Sequence, residues 1–266
     1  MPLHRFRILL PRSVKRDVIF LDLPGRSPIE IQRVRDPRAK RIKLSVDERG
    51  ARLTLPARAS LVSGERFLQE HRHWLLAQLE KYATSDASPA LVRGTTDRLP
   101  LRGEQVPLHW REGRYTRLTR ESDGLHFHAP AKDASARTGD AALRRTLREF
   151  YEAEARADMG RWLPKYLPGL PRAPARLRLK VMSSQWGSLS PDGSLAMDLS
   201  LVLGRPSAFE YVLVHELCHL IHADHSPRFW HEVESRFPAW RDEREYFHAQ
   251  GRQLKASLRA LVSTQR

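Results

Sequence analysis

No part of this chain limits its fold more than "VLVHELCHLIHADHSPRFW", Val212 to Trp230, where four histidines and one glutamate fall within eleven residues. Phe209, Val212, Leu213, Leu217 and Leu220 recur at helical spacing, with Ser207 after Pro206 as the expected N-cap. On such a helix His215 and His219 share a face one turn apart, so both imidazoles reach one tetrahedral zinc ion. Glu216 sits between them, with a side chain long enough to take a proton as water attacks a polarised carbonyl. This is the HExxH arrangement of two ligands and a general base.

A catalytic zinc needs a third protein ligand, and His222, His225, His231, Glu232 and Glu234 are the candidates. His222 lies near the same helix face but a turn further from the metal. Ser226 caps a new helix with Pro227 at its first position, so the first helix must end near Ala223 or Asp224. His225 then sits on the corner between helices, free to turn back, and is the expected third ligand. The run also fits the longer pattern HExxHxxGxxH, except that His222 stands where that pattern has a turn-permitting glycine.

Upstream, Asp17 to Pro56 reads as a β-meander with a wet, basic face: Ile42, Leu44 and Val46 alternate with polar residues, and "DERG" marks a turn. "GERFLQEHRHWLLAQLEKYA" follows as one helix, packing Phe67, Leu68, His71, Trp74, Leu75, Leu79 and Tyr82 on the sheet. "TSDASPALVRGT" reads as a linker, and "DRLPLRGEQVPLHW" and "GLHFHAP" as short strands. His126 and His128 point to one face of the latter but have no third ligand nearby in sequence. Asp140 is the expected N-cap of a long helix ending at Pro164. "RLRLKVM" alternates, and after "SSQWGSLS" the turn "PDG" leads into "SLAMDLSLV", a β-hairpin just before the motif helix.

The lone Cys218 excludes an internal disulfide. Too few apolar residues precede Pro11 for a signal-peptide core, and no run is long enough to span a membrane, so a cytoplasmic protein without a membrane partner is expected. A net charge of +15 attracts polyanions, yet charge sets encounter rather than function.

"YVLVHELCHL" with "HSPRFW" and the upstream "QWGSLSPDGSLAMDLSLV" resembles the YgjP-like family of zinc metallopeptidases, related to SprT-type proteins and minimal gluzincins. "RSVKRDVIF", "RAKRIKLSV", "LTLPARAS" and "FLQEHRHWL" resemble that family's N-terminal β-rich part. The resemblance implies one zinc per chain held by His215, His219 and His225, with Glu216 as general base. It also implies that the hairpin around Trp186, Gly187 and Ser188 runs along the substrate cleft, where an edge strand pairs with an extended peptide. The family's RWGSC reads here with Gln185 and Leu189, so no substrate role carries over to those two positions. Cys218 fits the pattern as a small buried hydrophobe.

The expected fold is α+β: a β-rich N-terminal region with a packed helix, residues 1–135, then a helix-rich zincin-like catalytic region with a small sheet, residues 136–266, as two domains or one continuous unit. The expected activity is zinc-dependent hydrolysis of a peptide or protein, with Tyr246, His231 and Arg228 as candidate oxyanion donors. Two alternatives follow from the basic composition. One is a metal-dependent hydrolase of nucleotides or other phosphoanhydrides, against which no Asp-rich Mg²⁺ cluster is visible. The other is a nucleic-acid-associated protein or a protease acting on DNA-bound proteins, against which surface aromatics for base stacking are sparse.

Overall fold

The computed structural model describes residues 14–23, 26–47, 50–83, 90–131 and 136–263. The segment before Pro11, the tip of the "DERG" turn, the first half of the expected linker (residues 84–89) and residues 132–135 lie outside them. The described residues form six α-helices and three small sheets, an α+β protein. The chain divides into two compact units, residues 1–87 and 88–266; the boundary expected at 135/136 falls inside the second.

In the first unit β1 (Lys15–Leu23), β2 (Arg26–Asp36), β3 (Lys43–Asp47) and β4 (Gly50–Pro56) form one sheet in the order β1-β2-β4-β3. This corrects the expected meander, because β4 enters beside β2 in parallel and leaves β3 on the edge. Strict alternation on β4 buries Ala51, Leu53 and Leu55 against α1 (Leu61–Glu70) and α2 (Arg72–Ala83). The expected single helix is broken at His71, whose Nδ1 donates to Phe67 O at 2.9 Å. Leu68 and Leu75 are buried on either side of the break, while Trp74 stands exposed. The basic face is partly spent internally: Arg33 pairs with Asp17, and Arg35 donates to the carbonyls of Ala57 and Ala59 at 2.8 Å each.

The second unit opens with β5 (Arg98–Leu101), β6 (Glu104–Glu112), β7 (Arg117–Glu121) and β8 (Gly124–Ala129), ordered β5-β6-β8-β7. Leu125 and Phe127 of β8 face the core, where α3 (Ala136–Tyr166) lays down Leu143, Leu147, Tyr151, Ala155 and Met159 at four-residue intervals. This helix starts four residues before the expected cap Asp140 and runs two past Pro164. Pro164 has no N–H to donate to the Gly160 carbonyl, and the helix ends within one turn of it.

β10 (Gly187–Leu189) and β11 (Ser194–Asp198) make the expected hairpin around the Asp192–Gly193 turn, and β9 (Arg176–Lys180) flanks β11 in parallel. A 3₁₀ turn, Leu199–Leu203, then feeds α4 (Pro206–Cys218), which α5 (Pro227–Arg236) and α6 (Trp240–Val262) follow. The N-cap of α4 is Arg205 rather than Ser207, because Pro206, with its fixed φ and missing N–H, takes the first helical position. The β5–β6 turn fixes this entry: the N–H groups of Arg102 and Gly103 donate to Val202 O and Leu203 O at 2.8 and 2.9 Å. The Arg102 guanidinium meanwhile clamps Glu154 and Asp158 of α3.

Candidate metal centre

α4 is buried along most of its length, so its register is fixed by packing, and His215 and Glu216 project from a rigid element. The helix ends at Cys218, earlier than expected, with His219 as its C-cap. Tight turns follow, in which Leu220 and Ile221 donate to Leu217 O and Cys218 O at 3.0 Å each. Ser226 then takes the N-cap position of α5 without a side-chain capping hydrogen bond, and Pro227 takes the first helical position. The chain between the two helices thus turns His225 back over α4.

The three imidazoles of His215, His219 and His225 meet, with ring centroids 5.1, 5.1 and 4.7 Å apart. One ring nitrogen from each lies within 4.8 Å of the others. His215 Nε2 and His225 Nε2 approach to 3.1 Å, close to the roughly 3.3 Å between two ligands of a tetrahedral zinc with Zn–N bonds of about 2.0–2.1 Å. His219 Nδ1 donates to the main-chain carbonyl of His222 at 3.0 Å, which leaves Nε2 free to bind. Burial, then the neighbouring His219 and His225, push the pKa of His215 down to about 3, so its ring stays neutral as a metal ligand must. The donor set therefore fits a metal ion.

Phe229, fully buried on α5, is the floor of the cluster: it stacks on His219 at 4.5 Å and meets the edges of His215 and His225 at 4.9 Å each. Neither its place nor that of Trp230, 5.7 Å from His215, is evident from helical spacing. The "SPRFW" run signals only that a helix begins there. His222 supplies its carbonyl, and its side chain lines a shallow pocket with Pro227 and Arg228, away from the cluster.

A cleft of about 820 Å³ opens over the cluster, walled by β10 on one side and by α4 and α6 on the other. Glu216 is 6% exposed, and its carboxylate accepts from the Leu189 N–H of β10. Burial raises its pKa to about 7. Gly187 lies directly against it: a Cβ there would stand 2.6 Å from Glu216 Cγ. Ser188 pairs with Ala196 in the hairpin and lines the cleft. Trp186 also lines it, but its ring turns toward α6, 4.4 Å from Phe247 and under Lys255 Nζ at 4.1 Å.

The segment entering β10 is tied down from beneath. Lys255 donates to Gln185 O and to Asp198 at 2.9 Å each, and Asp198 also accepts from Met182 N at 2.7 Å. None of Tyr246, His231 and Arg228 lines the cleft. The Tyr246 hydroxyl instead accepts from Arg205 N at 3.3 Å at the start of α4. Tyr211, Arg244 and His248 do line it, as do Arg172, Gln185 and Ser190. Burial holds the Tyr211 phenol up near 12, so it remains an O–H donor at neutral pH.

No curated protein matches the chain. Among solved structures, the crystal structure of the metallopeptidase zymogen abylysin of Pyrococcus abyssi is 21% identical, covering 38% of this chain and 93% of that one with a TM-score of 0.29. The model of the YgjP-like metallopeptidase domain matches residues 40–250, which include every residue of the histidine cluster and both walls of the cleft, and the chain belongs to that family.

Proposed function

We propose that this metallopeptidase is zinc-dependent, with His215, His219 and His225 as ligands and Glu216 as general base. The observation that carries the reading is the convergence of three imidazoles with one buried carboxylate on the floor of a single open cleft. Bound zinc would supply Lewis-acid polarisation of a scissile carbonyl and acidify water.

Glu216 takes the proton from the attacking water and returns it to the leaving amine. A pKa near neutrality suits both halves of that cycle. The Leu189 N–H and the flat face of Gly187 hold the carboxylate in place. β10 is the edge of its sheet, so its outer side offers main-chain groups to an extended peptide running through the cleft.

The phosphoanhydride alternative finds no support, since Glu216 is the cleft's one carboxylate among the described residues. Nor does the nucleic-acid alternative, part of whose basic face is taken up by Arg33 and Arg35 in contacts within the first unit. No helix of the described residues is long and apolar enough to cross a membrane. A cytoplasmic location is our reading from the single, buried cysteine.

Glu216→Gln tests the assignment. It should keep zinc by elemental analysis while hydrolysis of an unfolded protein such as casein falls by about 10²–10⁴-fold. Unchanged hydrolysis with zinc still bound would refute the role of Glu216.

A further inference from the structure

A second group of metal-ligating side chains lies on the β5–β8 sheet, outside the cleft. Leu108 and Trp110 of β6 pack on the same side as Leu125 and Phe127 of β8, toward the core. The alternating residues His109 and His126, partners in the parallel register, therefore leave from the opposite face, with ring centroids 4.9 Å apart. Asp123, in the turn between β7 and β8, reaches both: its carboxylate is 2.8 Å from His126 Nε2 and 3.7 Å from His109 Nε2. One ligand atom from each of the three lies within 4.8 Å of the others. Glu121 Oε2 stands 3.7 Å from His126 Nε2, next to the group.

The pairing of His126 with His128 suggested by their alternation does not form a site. The register partners of His128 are Arg111 and Arg117, whose charges repel a cation. Across the sheet His126 instead finds a second imidazole, His109, and the Asp123 carboxylate, with that of Glu121 adjacent. An Asp–His hydrogen bond alone would need only one imidazole. Two imidazoles and a carboxylate converging within ligand reach form a donor set suited to zinc-class ions.

We propose that His109, Asp123 and His126 form a second divalent-metal site, zinc being the ion of choice, with Glu121 beside the remaining coordination position. The ion ties together β6 and β8, a parallel pair whose connection runs through β7, and the turn that closes β7 on β8. It has no part in peptide hydrolysis and does not depend on the catalytic assignment above.

The test uses the full chain, stripped with chelator, reloaded with zinc chloride, gel-filtered and analysed for metal. Wild type should hold about two zinc ions per chain and His109→Ala about one, with peptidase activity kept. Asp123→Asn, at a solvent-exposed turn, should match His109→Ala if folding is not at issue. In a His215→Ala/His219→Ala background, zinc should still raise the melting temperature, and adding His109→Ala should abolish that shift. A His215→Ala/His219→Ala chain that holds no zinc, or a His109→Ala chain with the wild-type zinc count, would overturn the site and leave an ordinary hydrogen-bonded pair.

Discussion

Gly187 and Glu216 are packed so closely that a single methyl group on residue 187 would stand 2.7 Å from Glu216 Oε1. A strand and a helix thus meet at the one position where the strand has no side chain.

Gly187→Ala must therefore move either the carboxylate or the cleft wall. Misplacement of a catalytic group by about 1 Å is enough to lower turnover on the order of 10²-fold. Zinc content should stay at the wild-type value, since all three imidazoles lie elsewhere. Peptidase kinetics beside elemental analysis check this, and full activity in Gly187→Ala would show that Glu216 does not need its present position.

Phe229 supports all three imidazoles, so Phe229→Ala should affect stability and metal binding together. A buried Phe→Ala change costs about 3–5 kcal/mol. Phe229→Leu, which refills most of the volume, should recover much of the melting temperature. Zinc affinity, measured by competition with a chromophoric chelator, should fall more in the alanine variant than in the leucine one.

Lys255 and Asp198 form an ion pair that is nearly closed to solvent, with side chains 11% and 1% exposed. Lys255→Met leaves the Asp198 carboxylate buried without its cation, a loss of about 3–5 kcal/mol for pairs of this kind. Adding Asp198→Asn to it should restore part of the stability. If thermal unfolding shows the single variant no weaker than the double, the pair contributes nothing.

Cys218 is fully buried and its thiol is pushed up to about 12 by burial, so almost no thiolate is available at pH 8. Iodoacetamide should label it only after unfolding. Rapid labelling of the native, zinc-loaded chain, followed by mass spectrometry, would contradict the packing of α4.

Removing the metal should abolish hydrolysis and leave the helices largely formed, because α4 is anchored by the apolar core on every side but the cleft. Loss of activity in 1,10-phenanthroline, recovery on adding zinc and a nearly unchanged far-ultraviolet circular dichroism spectrum are expected. Collapse of the dichroism would mean that the ion is needed for the fold as well.

The parts of the centre that could be read from the sequence are those fixed by local geometry. Helical period brings His215 and His219 to one face, and Ser226–Pro227 forces the corner that carries His225. The contacts of Gly187, Phe229 and Lys255 join elements distant in sequence, and no spacing rule reports them. The same holds for β4, whose alternation marks a strand but does not choose β2 as a parallel neighbour. It holds for His126 too, whose true neighbour His109 is set by sheet register. Local signals erred on caps: Ser207 and Asp140 both look like helix starts, and the chain begins each helix earlier.

Because α4 stops at Cys218 and His219 is its cap, the two jaws of the histidine grip are unequal. His215 is held by a rigid rod, whereas His225 stands on the short connection before α5 and is braced by Phe229. Lengthening or shortening residues 220–224 should displace that one arm without disturbing the rod, which makes this connection the place where the geometry of the proposed metal centre is most easily altered.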